Sequence, residues 1–186
     1  MVRTPPRPTL TPRDWIDAAL AAMAAAGPDA VAVDRLAKQL GASRGSFYWH
    51  FTDRADLLRA ALEQWERRDT EDVIAHLRDL PDARARLALL LEHTLTAAVD
   101  PLEVALVAAA QHPVVAPVLR RVVIRRLDAL QRIFSDLGLG PEEARERSWT
   151  AYTSYVGHHQ LLRGGLAEPP PGLDRMLALL LSPPLG

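Results

Sequence analysis

The stretch Val33-Asp-Arg-Leu-Ala-Lys-Gln-Leu-Gly-Ala-Ser-Arg-Gly-Ser-Phe-Tyr-Trp-His-Phe51 predicts two short helices joined by a tight turn. The first carries an apolar face of residues spaced three and four apart, Leu36, Ala37 and Leu40. Gly41 ends that helix, because only glycine takes the left-handed C-cap conformation without strain. Ser43 then caps the second helix through its hydroxyl.

The second of these helices, predicted to be nine residues long, has an inward and an outward face. Phe47 and Phe51 lie four residues apart and form a stripe that faces the core. The other side chains point elsewhere: Arg44, Ser46, Tyr48, Trp49 and His50. Two aromatic rings, an Arg and a His are costly on an ordinary exposed surface, but they suit a helix that lies in a DNA groove.

The composition indicates a helical protein with a substantial core. The 186 residues suit one or two domains, and 48% of them are apolar. Ala and Leu dominate and only 5% of residues are aromatic, which favours helix throughout. The absence of cysteine excludes a disulfide scaffold, a thiolate nucleophile and Cys-ligated zinc.

The charge and hydropathy patterns bear on where such a protein works. Residues 1–60 contain eight Lys or Arg and six Asp or Glu, whereas residues 61–186 contain fourteen and seventeen. This distribution fits an N-terminal end that meets phosphate. No apolar run reaches the ~18–20 residues that span a bilayer. The first residues lack the apolar region of a signal peptide, so we expect a cytoplasmic protein.

A further helix is predicted ahead of the opening stretch. Thr11 is a good N-cap, Pro12 suits the first helical position, and Asp14 completes a capping box. Gly27-Pro28 ends this helix near Ala26. Its apolar stripe consists of Trp15, Ile16, Ala19, Leu20 and Met23.

The two short helices can cover that stripe, which predicts a three-helix head over residues 11–56. The Pro-rich residues 1–10 are expected to be a disordered tail. The tail is either passive or an arm whose Arg3 and Arg7 contact DNA.

The rest of the chain, residues 57–186, is predicted to be a second all-helical domain. Asp53, with Asp56 three residues later, caps a long helix that runs to about Leu80 and connects the two domains. Pro and Gly residues divide the remaining chain into helices at about 82–99, 102–110, 114–137, 141–163 and 172–181. No useful stretch alternates with period two, so the fold class is all-α, with about nine helices and no sheet.

Residues 11–60 resemble the DNA-binding domain of the TetR family of bacterial transcriptional repressors. The family pattern stands here without gaps as Leu36-Ala-Lys-Gln-Leu-Gly-Ala-Ser-Arg-Gly-Ser-Phe-Tyr-Trp-His-Phe51, followed by Arg54-Ala-Asp-Leu-Leu58. The match covers a little over a quarter of the chain, and the remainder is similar only in length, helical content and order of helices. The chain departs from the pattern at Ala32, where the family often has a phosphate-binding Thr, and at Arg54, where Lys is common.

The resemblance implies that the head binds double-stranded DNA. Arg44 is the best candidate for base readout, since Arg pairs bidentately with guanine, and Gly45 would let the helix approach the duplex closely. The full set of implied DNA contacts is Ser43, Arg44, Gly45, Ser46, Tyr48, Trp49, His50 and Arg54. Two alternatives stay open, namely that Trp49 packs onto its own domain and that His50 is a structural cap.

The resemblance also implies a homodimer, joined by the helices at about 141–163 and 172–181, and therefore a palindromic operator. The candidate interface residues are Leu161, Leu162, Leu173, Met176, Leu177 and Leu180. It further implies a repressor that a small, largely apolar effector releases from DNA. The candidate effector contacts, each of which could equally be ordinary packing, are Trp65, Thr94, Gln111, Trp149 and Tyr152.

Two other function classes compete with this one. A constitutive DNA-binding regulator without an effector fits the same head. A helical-bundle enzyme is the remote alternative. Gly41-Ala-Ser-Arg-Gly45 lies between two predicted helices and not in the strand-to-helix turn of a nucleophile elbow, and no phosphate-cradling glycine loop occurs. No cofactor or metal is expected: the neighbours His158 and His159 point about 100° apart on a helix, which leaves His112 as the least unlikely ligand.

Overall fold

The computed structural model describes residues 10–96, 100–165 and 173–182, and for residues 93–96 and Leu173 it describes the backbone only. The predicted tail, with Arg3 and Arg7, therefore lies almost wholly outside the described residues. The α-helical segments are α1 (Pro12–Ala26), α2 (Val33–Gln39), α3 (Arg44–Tyr48), α4 (Arg54–Glu66), α5 (Asp72–Arg78), α6 (Ala83–Thr96), α7 (Pro101–Ala108), α8 (Val115–Asp136), α9 (Pro141–Arg163) and α10 (Leu173–Leu181). The described part of the chain contains no strand, and the predicted all-α class is confirmed.

The caps of α1 and α2 follow the sequence signals. Thr11 and Asp14 form the predicted capping box, with the Thr11 backbone N–H donating to the Asp14 carboxylate over 2.7 Å. Gly41 takes a left-handed φ of 64°, and the Ala42 N–H closes the end of α2 on the Ala37 carbonyl at 2.8 Å. Ala32 occupies the N-cap of α2 and supplies no side-chain hydrogen bond.

The head packs around two aromatic rings. Trp15 of α1 and Phe47 of α3 are both fully buried, and their ring centroids lie 5.4 Å apart in an edge-to-face arrangement. Phe51 is also buried and stacks on Phe47, so both phenylalanines belong to the core as predicted. Leu36 and Ala37 complete this side of the core from α2.

The long connecting helix predicted up to Leu80 is interrupted. A π-helical turn, Arg67–Glu71, joins α4 to α5, so the backbone stays helical but changes its hydrogen-bond register. Arginines of α8 hold this segment: Arg121 donates to Glu66 and Arg125 to Glu71, each through two nitrogens. A π-turn is rare and usually marks a functional position.

Two hydrophobic cores organise the molecule, and the first crosses the predicted boundary between residues 56 and 57. It continues from the head through Leu57, Leu58 and Trp65 of α4 and takes in further residues from α7 and α8, namely Leu102, Leu106, Val115, Val118, Leu119 and Val122. The second core joins α5, α6, α8, α9 and α10 around Phe134. α7 and α8 therefore connect the head to the C-terminal helices.

Candidate functional site

The outward face of α3 is open to solvent. The α-helix itself spans five residues rather than nine, and Ser43 caps it by accepting from the Ser46 N–H at 3.2 Å. Trp49, which follows α3 directly, is 87% exposed, so it does not pack on its own domain. Tyr48 is 55% exposed. Two aromatic side chains on this face are thus left uncovered by the rest of the protein.

Arg44 stands on the same face and is paired with Asp34 of α2. Its Nε lies 3.0 Å from the Asp34 carboxylate, and both side chains are largely exposed. A hydrogen bond to the Tyr48 hydroxyl, and then the charge of Asp34, raise the pKa of Arg44, which stays protonated. Exposed pairs of this kind contribute about 0–1 kcal/mol, so a stronger anion can take Arg44 from Asp34.

Two of the predicted DNA contacts are engaged within the head. The His50 Nε2 lies 3.0 Å from the Leu10 carbonyl, which is the structural role left open by the sequence. Arg54 donates to the carbonyls of Val31 and Pro28, both at 2.6 Å, and thereby holds the 3₁₀ turn Pro28–Ala30 against α4. The first contact ties the chain just after α3 to the residue before the α1 cap, and the second ties the turn before α2 to α4.

Gly45 has no role that the fold itself requires. A Cβ built at this position meets nothing nearer than the Ser43 Oγ at 3.6 Å, which is an ordinary contact. Its φ also lies outside the left-handed region that favours glycine. Neither the backbone conformation nor crowding within the head therefore requires glycine at this position.

A cavity of about 140 Å³ lies between the second core and the π-turn. Most of its wall is aliphatic, and polar side chains gather at one end. Its described lining consists of Asp69, Thr70, Val73, Ile74, Leu77, Leu90, Leu91, Asp100, Glu103, Arg126, Ala129, Leu130, Ala151, Tyr152, Tyr155 and His159.

The five predicted effector contacts do not come together at this cavity. Tyr152 lines it, whereas Trp65 is buried beside it, with the guanidinium of Arg126 5.7 Å from the centroid of its ring. Gln111 is exposed in the turn after α7. Trp149 is exposed on the outer face of α9. The side chain of Thr94 lies outside the described residues.

A buried ion pair dominates the polar end of the cavity. Arg126 donates to the Glu103 carboxylate, to the Thr70 hydroxyl at 3.1 Å and to the Asp69 carbonyl at 3.2 Å. The Tyr155 hydroxyl donates to the other Glu103 oxygen at 3.0 Å. Burial alone would lower the pKa of Arg126, but the charge of Glu103 outweighs it and the pKa is raised. Burial also raises the pKa of Tyr155, so its hydroxyl keeps its proton.

Sequence reasoning missed this network, although one signal was available. Glu103 is the sole charged residue of α7, whose other seven residues are apolar. A lone carboxylate in such a helix requires a buried partner. That the partner is Arg126, among the many arginines of α8, follows only from the packing.

The predicted dimer residues differ in how far they are buried within the protomer. Leu177 and Leu180 are buried within the protomer, because α10 packs against α6 in the second core. Leu162 and Met176 are half-buried, and the side chain of Leu173 lies outside the described residues. Leu161 is exposed, together with Trp149 of α9 and Leu179 of α10, neither of which the sequence marks as an interface residue.

None of the helices described is both long and apolar enough to cross a membrane.

Comparison with known proteins adds a family and a fold. Residues 16–61 match the model of the bacterial regulatory proteins of the tetR family. The HTH-type transcriptional regulator SrpR of Pseudomonas putida is 40% identical over 47 residues, which are 25% of this chain and 22% of that relative. The match thus spans less than a quarter of the relative's length and does not include its other regions.

Solved structures match over nearly the whole chain. FadR of Bacillus subtilis, in complex with stearoyl-CoA, shares 18% identity and covers 92% of this chain and 98% of its own, with a TM-score of 0.69. A protein of Saccharomonospora viridis, in complex with choline, shares 18% identity and covers 91% of this chain and 92% of its own, with a TM-score of 0.73. At these identities the likeness shows the fold. Residues 16–61 therefore carry the sequence pattern of the tetR family of bacterial regulatory proteins, and the chain as a whole shares its fold with these solved structures.

Proposed function

We propose that the chain is a DNA-binding transcriptional regulator that reads the major groove with the outward face of α3. The observation that carries the proposal is the exposure of that face, with Trp49 87% exposed next to Tyr48 and Arg44. Large aromatic side chains left uncovered beside a cation are typical of a surface that a partner covers. The family match over residues 16–61 makes DNA that partner.

Gly45 supports the same proposal. Because neither φ nor local crowding requires glycine at this position, its missing side chain is explained by the close approach of a partner. In the proposed complex the backbone of α3 lies against the duplex at Gly45. Ser43, Ser46, Tyr48 and Trp49 then surround that point and contact sugar, phosphate or base edges.

Arg44 is the proposed base reader. Its guanidinium is charged, exposed and held only by Asp34 and Tyr48. Bidentate pairing with guanine is worth more than an exposed ion pair, so Arg44 would exchange Asp34 for a base on binding. His50 holds the end of the face against Leu10, and Arg54 holds the turn before α2. Both contact phosphate in the proposed complex with the parts of their side chains that remain exposed.

We further propose a homodimer that binds a palindromic operator. Exposed apolar side chains stand on α9 and α10, and Arg147 of α9 donates to the Leu179 carbonyl, which ties the two helices together. Two copies related by a two-fold axis would cover Trp149, Leu161 and Leu179, and would present two heads to successive major grooves.

The proposed regulator is a repressor, and its effector occupies the cavity. Glu103 lines the cavity, while Leu102 and Leu106 of the same helix belong to the core of the head. On α8, Arg126 likewise lines the cavity and Val122 belongs to the core of the head. A ligand that favours one arrangement of α7 and α8 therefore biases the head, by as much as its affinities for the two arrangements differ. The bound ligands of FadR and of the Saccharomonospora viridis protein support a ligand site in this fold.

Selection of duplexes from a random library, followed by fluorescence anisotropy on the selected site, tests the proposal. The Arg44→Ala variant should bind the selected site about 1–3 kcal/mol more weakly and discriminate less at one base position. The matched control is Arg84→Ala, which removes an exposed arginine from α6. If no sequence is enriched, or if Arg44→Ala binds as tightly as the control, the proposed reading face is wrong.

A further inference from the structure

We infer that the cavity takes a small organic cation, an amine on an apolar body the size of a single ring. This inference rests on the proposed function, since it takes the cavity to be the effector site. Three features of the described lining carry it: the cavity volume, the balance of charges at its polar end, and the pairing of its one guanidinium with Glu103.

The volume fits a ligand about the size of one substituted ring. The cavity measures about 140 Å³, close to the roughly 150 Å³ of an apolar cavity that holds benzene. The aliphatic wall from α5, α6 and α8 suits such a ring. A long acyl chain would need these helices to separate.

The charges of the described lining leave one negative charge in excess. Asp69 is paired outside the cavity with Arg68, through two hydrogen bonds of 2.8 and 2.7 Å. Glu103 is paired with Arg126. Asp100 forms no salt bridge with a described residue, although the charge of Arg68 acts on it as well as on Asp69. Its carboxylate caps α7 by accepting from the Leu102 N–H at 2.8 Å. That bond leaves acceptor positions for a ligand N–H, because a carboxylate has about four.

An anionic ligand is disfavoured at the polar end of the cavity. Three of the five N–H groups of Arg126 donate to Thr70, to Glu103 and to the Asp69 carbonyl. A ligand carboxylate would have to share the buried guanidinium with Glu103, which brings two negative charges together in a buried site and is unfavourable. A cation instead adds its charge to a site with excess negative charge, beside the rings of Tyr152 and Tyr155, whose centroids are 6.2 Å apart.

The test uses three probes of one shape and different charge: benzylamine, benzyl alcohol and benzoate. Binding to the DNA-free protein is measured by calorimetry at pH 8. At this pH benzylamine is protonated, and the imidazole of free histidine is neutral. Benzylamine should bind about tenfold tighter than benzyl alcohol, which corresponds to 1.4 kcal/mol, and benzoate should bind most weakly. Asp100→Asn keeps the helix cap, since Asn caps as well as Asp, and should abolish the preference for the amine. The control, Glu146→Gln on the exposed face of α9, should retain it.

Three results would overturn the inference: benzoate binding as tightly as benzylamine, no binding of benzylamine at millimolar concentration, or an unchanged preference in Asp100→Asn. The measurement needs no DNA, so its failure is separate from failure of the proposed function. A protein that selects a DNA site but prefers benzoate keeps its regulatory role and loses only the ligand class.

Discussion

Gly45 shows at the scale of one residue how binding and stability compete. A glycine inside a helix loses more conformational entropy on folding than an alanine would. No contact within the head requires glycine in return for this loss, because a Cβ at position 45 would fit without a clash. In the proposed complex with DNA, a methyl group on this face would hold the backbone away from the duplex.

Gly45→Ala should therefore raise stability and weaken DNA binding together. The free energy of unfolding should increase by about 0.5–1 kcal/mol, the usual difference between glycine and alanine in a helix. Affinity for the selected duplex should fall at least tenfold. Urea denaturation and anisotropy on the same preparation give both numbers. A variant that is more stable and binds DNA as tightly as the parent would show that Gly45 does not face the duplex.

The sequence predicted the side chains of the head well and those of the C-terminal helices poorly. Thr11, Gly41 and Ser43 act at the ends of their own helices, where spacing along the chain sets the contacts. The partners of the effector cavity are far apart in sequence. Arg126 meets Glu103 and Thr70 across 23 and 56 positions, and helical periodicity holds no information on such pairs.

At the scale of elements, the π-turn between α4 and α5 is the least expected feature. The sequence of Arg67–Glu71 contains neither Pro nor Gly, so no local signal marks it. Its backbone is held from α8, where Arg126 donates to the Asp69 carbonyl and the Thr70 hydroxyl. The turn thus depends on tertiary contacts, and the buried arginine links it to α7 through Glu103.

Removing Arg126 alone should cost far more stability than removing its neighbour. Arg126→Met leaves Glu103 buried without a counter-charge, for which we expect a loss of about 3–5 kcal/mol. Arg125→Met breaks a pair with Glu71 at the surface and should cost about 1 kcal/mol or less. Urea denaturation at one fixed protein concentration measures both.

The double variant Arg126→Met/Glu103→Met distinguishes a buried charge from lost packing. Replacing both ions by apolar side chains of similar volume should restore most of the stability. If the double variant is as unstable as Arg126→Met, the loss comes from the contacts of Arg126 with Thr70 and Asp69 rather than from the charge of Glu103.

At the scale of the whole molecule, the order and the class of the helices could be predicted because Pro and Gly mark nearly every end. α7, α8, α9 and α10 each begin and end within two residues of the predicted positions. How these helices pack could not be predicted in the same way. An apolar residue near the C-terminus can face the protomer or a second copy, and Leu177 and Leu180 face the protomer.

The surface that α9 and α10 leave uncovered predicts the state of assembly. One head alone covers about 600–1,000 Å² of DNA, which is too little for tight and selective binding, so two heads are expected. Light scattering at micromolar concentration should give twice the 20.5 kDa of one chain. The double variant Leu161→Lys/Leu179→Lys should dissociate, because it places two charges on the proposed interface without touching either core.

Ile124→Lys is the matched control, since Ile124 is an equally exposed aliphatic residue on α8. It should leave the mass at the dimer value and DNA affinity unchanged, while the dissociated variant should bind the palindrome only as weakly as a single head binds one half-site. A parent protein with a mass near 20.5 kDa would contradict the dimer. Dissociation by Ile124→Lys would instead show that the dimer interface lies on α8 and not on α9 and α10. The proposed spacing of the two heads would then change as well.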